Sequence, residues 1–470
     1  MCGIFGIIGK ERAAENLLQG LNLLQHRGQN GAGIFIYDAS KKKSTLLKNR
    51  GLVHQVFSFQ PLPEGSWGIG HLRYATAGKN SIQEVQPLVI SKNKLTLSIV
   101  HNGNITNYIS LKRELMAEGA DFETTSDTEV ILKILFSHLQ EEMSFDSLSR
   151  AVEEVHSRVV GAYSILGIIE GFGLFAFRDS FGFRPFLYGT KQKGKAHFFS
   201  SEAGPLVQLD VQNICDVKPG QLLFIDQDYR LHQADLNEQK HSHCSFEFNY
   251  FCKPNAMIEG TDVYQIRFRL GQSLARNVKK AGFKIDVVIP IPDTARPSAL
   301  GLARDLNIPL EEGFLKQDNV GRTFIMPTQD SRKKAVISKL STVNSVFKDK
   351  KILLVDDSIV RGTVSKQAVY LARKAGAKKI FFASTYPQVL YPCYYGIDFP
   401  SQEELIAWGK SLEEISKALD IDGLVYNSVE DFKESVGLPD LCTACLTGNY
   451  PTCIQDANEL TELRLVESRL

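Results

Sequence analysis

Apolar residues in the first half of the chain come in short runs broken by turn-forming residues: CGIFGII, AGIFIYD, WGIGHLRY, LTLSIVHNG, AYSILGI, GLFAF, HFFSS and LLFID. Runs of this length between Gly, Asn and Asp predict β-strands. Two stretches, around 107–118 and 127–139, space their apolar residues as helices do. Strands interrupted by a few helices predict an α+β unit whose sheets pair strands distant in sequence. Around 226–245, in DQDYRLHQADLNEQKHSHC, the pattern turns polar and loses its period. We place a domain boundary near there, giving units 1–238 and 239–470. The second half has another rhythm. FKIDVVIPIP and KKILLVDD are buried-strand runs leading into acidic residues, each followed by a helical pattern, ARPSALGLARDL and TVSKQAVYLARKAG; KKIFFAS renews the alternation. This predicts an α/β unit with a parallel sheet covered by helices on both faces.

With 470 residues, 43% hydrophobic and 23% charged, the composition is ordinary for a globular chain and the length suits two or three domains. A net charge of +1 provides no global field for nucleic acid or an anionic membrane, so neither is expected as a partner. AYSILGIIEGFGLFAF is the longest apolar stretch, but Glu170 and three glycines divide it into two strands rather than a membrane span. The start lacks a basic leading region, so no signal peptide is expected and the expected location is cytoplasmic. Eight cysteines are too few for a secreted disulfide framework. In a reducing compartment they serve catalysis, metal or packing.

Cys2 stands directly behind Met1. Removal of Met1 would leave a thiol and an α-amine of pKa ~7.7–8.0 on one residue, a nucleophile with its own base. A small apolar residue leading into a first strand is the plain alternative. Arg73, inside a strand pattern, wants a carboxylate, from a ligand or from a structural salt bridge. HNGN ends a strand in a tight turn, setting the Asn102 side chain beside the Gly103 amide, two donors able to hold an oxyanion. Asp127 and Thr128 stand at a predicted helix start and read from spacing as caps. In VDDSIVRGT, Ser358 to Val364 would present amides and hydroxyls at a helix N-terminus, suited to a phosphate. Ligands of α/β sheets sit at such strand ends. Asp356 and Asp357 would face vicinal hydroxyls or a metal-bound polyphosphate.

CGIFGI, HRGQ, GHLRYAT, HNGNITN and SDTE lie in this order over residues 2–129, and together they resemble the N-terminal-nucleophile glutamine amidotransferases. The resemblance implies an αββα sandwich in which Cys2 attacks the glutamine side-chain amide, with its own α-amine as base. It also implies that Asn102 and Gly103 form the oxyanion hole, that Arg73 binds the α-carboxylate of glutamine and that Asp127 binds its α-amine. The chain departs from the family at Asn30, where an acidic residue is more usual.

KKILLVDDSIVRGTVSKQAVYLARKAG resembles the phosphoribosyl-pyrophosphate signature of type I phosphoribosyltransferases. DVVIPIPDTARPSALG is similar to their pyrophosphate loop and GFLKQDNVGRTFIMPTQDSRKKAV to their closing loop. Joined to the front half, these segments make nearly the whole chain similar to the amidophosphoribosyltransferase family. The implied reaction joins ammonia from glutamine to 5-phosphoribosyl 1-pyrophosphate, giving 5-phosphoribosylamine, pyrophosphate and glutamate, the first committed step of purine synthesis. Ser358, Ile359, Val360, Arg361, Gly362 and Thr363 would cradle the 5-phosphate. Asp356, Asp357 and the Thr294 hydroxyl would bind ribose hydroxyls and Mg²⁺. Lys316 and Arg322 of the closing loop would meet phosphate charge, or stay solvated. Departures fall at Asp318 and Asn319, and at CKPNAMIEG, which contains Asn255. No SGGxDS-type loop is present, and VDDSIVRGT belongs neither to glucosamine-6-phosphate synthases nor to asparagine synthetases. A diverged paralogue and a non-catalytic phosphoribosyl-pyrophosphate sensor are the alternatives. A sensor would not need Cys2, Arg73 and Asp127 together.

LCTACLTGNYPTC contains Cys442-x-x-Cys445, which alone is a redox pair, a metal half-site or chance. One branch of the resembled family carries a [4Fe–4S] cluster on cysteines placed like Cys244, Cys393, Cys442 and Cys445, so a cluster is implied here. Zn²⁺ in the same four-thiolate site is the alternative. Cys215, Cys252 and Cys453 are left over. The resemblance further implies a homotetramer or dimer inhibited by AMP and GMP.

Overall fold

The computed structural model describes residues 1–58, 61–74, 81–139, 143–191, 194–316, 340–399, 401–454, 456 and 458–462. The first half builds two antiparallel sheets. One runs, in spatial order, Gln212–Asp216, Leu187–Lys191, Ala196–Ser200, Gly3–Ile8, Trp67–Arg73, Gly31–Asp38 and Lys43–Arg50. The other runs Leu231–Asp235, Gln221–Asp226, Gly173–Arg178, Gly161–Ile169, Leu95–Ile105 and Leu88–Lys92. Alternation along the strands splits their side chains between two cores. Ile4, Ile8, Trp67 and Ile69 face Val100, Leu166, Ile168 and Leu174 across the sandwich. Phe5, Ile7 and Leu72 point outward onto Leu17 and Leu21 of helix Ala13–Leu23. On the far side, helices Thr128–Leu139 and Phe145–Arg158 cover Leu97, Ile99 and Ile165. The result is the expected αββα sandwich.

Five strands of the two sheets escaped the hydrophobic pattern, four of them at a sheet edge. Lys43–Arg50 and Leu231–Asp235 are edge strands with mostly exposed or half-exposed residues. An edge strand with little to bury carries charges instead of an apolar period, so the polar stretch 226–245 contains a strand.

The second half has a parallel sheet, Val287–Pro290, Lys351–Asp356, Lys379–Ser384 and Gly423–Tyr426 in spatial order. Leu353 and Val355 pack on one face against Leu274 and Leu302, from helices Val263–Ala281 and Arg296–Leu306. Ile352 and Leu354 pack on the other against Val369 of helix Thr363–Lys374 and Ile415 of helix Leu412–Leu419. Both faces are therefore covered, as the strand–helix alternation predicted. Among the described residues no helix is long and apolar enough to cross a membrane.

Candidate active site

Gly3 lies opposite Leu72 in the ladder joining Gly3–Ile8 to Trp67–Arg73, which brings Cys2 level with Arg73. Cys2 is half-buried and its thiol lies 3.7 Å from the Tyr74 carbonyl. Arg73 is buried, with Nη1 donating to the Ser81 carbonyl at 3.4 Å. On the facing sheet, strand Leu95–Ile105 carries Asn102 and Gly103. Asn102 is fully buried, yet neither its side-chain oxygen nor its nitrogen has a partner among the described residues. A buried amide in that state has both polar atoms open to a ligand or a water. Gly103 adopts φ 157°, and a Cβ there would stand 1.9 Å from the Ala162 carbonyl oxygen. Only glycine permits that approach.

Asp127 accepts a hydrogen bond from the Ile105 N–H at 3.0 Å and lies 3.7 Å from His101 Nδ1. Burial alone would raise its carboxyl; His101 and the Ile105 N–H reverse this and hold it below the usual carboxylate range. The carboxylate is therefore kept anionic, fit for an ammonium group. Asn30, the departure in HRGQN, joins the strand end by backbone, its N–H donating to the Arg73 carbonyl at 2.9 Å.

Arg27 lies in HRGQ, where local pattern assigns it no role. It is fully buried, and its Nε donates to the Cys2 carbonyl at 3.0 Å. Nη1 donates to Glu202 at 2.8 Å and Nη2 to Glu247 at 2.7 Å. Burial opposes its charge, but Glu247 and Glu202 outweigh that and raise the guanidinium well above its ordinary value. Burial likewise opposes the Glu202 carboxylate, but His26, 2.7 Å away, and Arg27 lower it to about 2. Arg184 Nη1 stands 3.6 Å from Glu247. Arg27 and Arg184 thus balance Glu202 and Glu247 in a buried quartet. Its members span residues 27 to 247, and no local pattern joins positions so far apart.

At the carboxyl end of strand Lys351–Asp356, Asp356 and Asp357 are both buried. Burial, with the charge of Asp357, pushes the Asp356 carboxyl well up. Burial raises Asp357 too, against hydrogen bonds from the hydroxyls of Ser358 and Thr294. Thr294 and the aspartates therefore come together as the sequence suggested. Two adjacent buried carboxyls with too few donors form an oxygen set that a hard cation would complete. No backbone N–H of Ser358 to Thr363 has a partner among the described residues, and these amides lead into helix Thr363–Lys374. Such a nest favours an anion. Ile359 is buried in the core, so it offers its backbone alone. Arg361 is engaged by Glu404 at 2.5 Å and Asp398 at 3.6 Å. Gly362 adopts φ 75°, a left-handed backbone that favours glycine, and a Cβ there would also push on Ile406 Cδ1 at 2.5 Å. Lys316 pairs with Asp293 at 2.6 Å. Arg322, Asp318 and Asn319 lie outside the described residues. Asn255 lines a surface cavity with Met257 and Tyr264.

Cys244 and Cys442 are register partners in a two-residue parallel ladder. The Cys445 carbonyl accepts from the Leu390 and Tyr391 N–H groups at 2.9 and 3.0 Å, tying in the segment that bears Cys393. Burial raises the Cys244 thiol to about 11 and pushes Cys442 and Cys445 up as well, with neighbouring thiols adding to the effect. Among the described residues no three His, Cys, Asp or Glu side chains converge as ligands of a single ion.

A thiol-bearing αββα sandwich joined to a parallel sheet with an amide nest and paired aspartates defines a glutamine amidotransferase fused to a phosphoribosyltransferase. The comparisons agree. The glutamine amidotransferase domain family matches residues 71–208. The amidophosphoribosyltransferase of Haemophilus influenzae is 41% identical over 471 residues, covering 96% of this chain and 93% of that protein. That of Pyrococcus horikoshii is 43% identical over 453 residues, with 96% of each covered. Among solved structures, the B. subtilis glutamine phosphoribosylpyrophosphate amidotransferase complexed with ADP and GMP superposes with TM-score 0.87 at 37% identity, covering 97% of this chain and 98% of that one. The chain belongs to the amidophosphoribosyltransferase family, enzymes that use glutamine to aminate phosphoribosyl pyrophosphate in purine synthesis.

Proposed function

We propose that the chain performs the family reaction with the residues expected from its sequence. Residues 1–238 act as the glutaminase and residues 239–470 as the phosphoribosyltransferase. Loss of Met1 frees the Cys2 α-amine, which takes the thiol proton as sulfur attacks the glutamine carboxamide. Arg73 and Asp127 hold the α-carboxylate and α-ammonium. The oxyanion lies between the Asn102 side chain and the Gly103 N–H. Ammonia leaves as the thioester forms, and water releases glutamate. In the second site the amides of Ser358 to Thr363 hold the 5-phosphate, and Asp356 and Asp357 hold the ribose hydroxyls. Ammonia attacks C1, the bond to pyrophosphate breaks, and the amine loses one proton. Mg²⁺ among Thr294, Asp356, Asp357 and substrate oxygens would neutralise the departing pyrophosphate. Lys316 and Arg322 belong to the loop that closes over it. The unpartnered buried Asn102 amide is the observation that carries this reading.

The four thiols of Cys244, Cys393, Cys442 and Cys445 suit a [4Fe–4S] cluster. Cys393, Cys442 and Cys445 are buried in one core and half-buried Cys244 packs against it, with Zn²⁺ on the same thiolates as the alternative. A cytoplasmic homo-oligomer, dimer or tetramer, under purine nucleotide control by AMP and GMP completes the proposal. The ADP and GMP bound by the B. subtilis relative support nucleotide control.

Glutamate release is the test, measured with and without phosphoribosyl pyrophosphate and Mg²⁺. Strong stimulation is expected; equal hydrolysis in both would leave a glutaminase with another acceptor. Cys2→Ala should abolish glutamine use and retain synthesis from ammonium salts. Loss of both activities would overturn the division of labour.

A further inference from the structure

A single turn of π-helix, Glu247–Phe251, touches both sites. The Cys252 N–H closes it on the Glu247 carbonyl at 3.1 Å. Glu247 is buried and takes a two-pronged contact from Arg27, 2.7 Å from Nη2 to Oε1 and 3.1 Å from Nη1 to Oε2. The same guanidinium holds the Cys2 carbonyl. Two residues on, Asn249 is equally buried. Its Nδ2 donates to the Asp357 carbonyl at 3.0 Å, and its Oδ1 accepts from the Thr385 hydroxyl at 3.1 Å. Arg267 fixes the turn from behind, with Nε donating to the Phe248 carbonyl at 2.9 Å and Nη2 to the Cys252 carbonyl at 2.7 Å. Turns of this kind inside a packed core concentrate at functional sites. A packed interior passes displacement on rather than absorbing it.

We propose that this turn is a rigid strut shared by the two sites, in which Glu247 positions Cys2 through Arg27 and Asn249 positions Asp357 through its carbonyl. Both are positioning residues, since each acts through another. The proposal rests on the roles given above to Cys2 and Asp357. When phosphoribosyl pyrophosphate settles against the Asp357 loop, the shift reaches the nucleophile through one turn of backbone. Occupancy of the second site then sets the aim of the thiol in the first.

The full-length holoenzyme supports three readouts: glutamate release without phosphoribosyl pyrophosphate, glutamate release with it, and phosphoribosylamine formation from ammonium salts. Asn249→Leu removes both hydrogen bonds at the phosphoribosyl end. The stimulation of glutamate release is expected to fall about tenfold, in kcat rather than in the glutamine KM. Glu247→Gln weakens the other end. It is expected to raise the phosphoribosyl pyrophosphate KM about threefold or more in the ammonium assay, where Cys2 takes no part. In the double variant the two effects should not add. Effects confined to the nearer site, with an additive double variant, would overturn the strut. If Asn249→Leu does not fold, Thr385→Val, which removes the hydroxyl that orients Asn249, should lower the same stimulation; an unchanged ratio would count against the proposal. Failure of the functional reading looks different, because the wild-type enzyme would then show no stimulation and the strut would fall with it.

Discussion

Asp356 is buried beside Asp357, and both facts push its carboxyl well above the usual carboxylate range. Its folded pKa lies above the unfolded value, so the native state binds a proton more tightly than the unfolded chain does. Stability from this residue is therefore complete below the unfolded pKa and is lost as pH rises through the folded one. Asn at this position removes the buried charge and keeps an oxygen for the Asp357 N–H, which Asp356 Oδ1 now accepts at 2.9 Å. In metal-free buffer at pH above the folded pKa of Asp356, Asp356→Asn is expected to raise Tm by about 2–4 °C while abolishing phosphoribosyl transfer. Differential scanning calorimetry with chelator checks the first half; a lowered Tm would contradict the strain argument. The paired aspartates were legible in the sequence because they sit at a strand end before a small-residue loop. Arg27 was not, because its value lies in Glu202 and Glu247, 175 and 220 positions away.

The strands that bury both faces announced themselves by composition, as Gly161–Ile169 and Gly173–Arg178 did. The edge strands Lys43–Arg50 and Leu231–Asp235 did not, since exposure removes the apolar period that marks a strand. The π-helical turn Glu247–Phe251 was invisible for another reason: nothing in EFNYF distinguishes it from a helix turn or a short strand. Where two strands approach closely, the sequence again speaks through glycine. A methyl group on Gly103 would overlap the Ala162 carbonyl, driving strand Leu95–Ile105 away from Gly161–Ile169 at the oxyanion turn. Gly103→Ala is expected to cut glutamine-dependent kcat by about 10²–10³, the usual loss when an oxyanion donor is misplaced. Synthesis from ammonium salts should persist. Glutamate release near wild-type level would show that the turn tolerates the shift and that Gly103 is not a donor.

Across the whole molecule, the halves are joined by side chains that neither half can satisfy alone. Arg27 from the first half shares its charge between Glu202 and Glu247. Arg184 reaches Glu247 from one side and the Tyr395 carbonyl at 3.0 Å from the other. The loop beyond Cys393 lies on the oxyanion strand, where Asn104 Nδ2 donates to the Tyr394 carbonyl at 2.7 Å. Removing one member of a buried charge network strands its partners, at about 3–5 kcal/mol. Acid does the same by protonation. Burial opposes the Glu202 carboxylate, yet His26 and Arg27 hold it at about 2, below its unfolded value of about 4.3. A depressed folded pKa means the contribution is complete above the unfolded pKa and is lost as pH falls toward the folded one. Wild-type Tm should therefore drop between about pH 5 and pH 2 more steeply than that of Glu202→Gln, which has no proton to take up there. Because the network spans both halves, glutaminase and ammonium-dependent activities should disappear together on heating at pH 5. Separate midpoints, or parallel Tm curves for the two proteins, would mean that the quartet does not hold the halves as one cooperative unit.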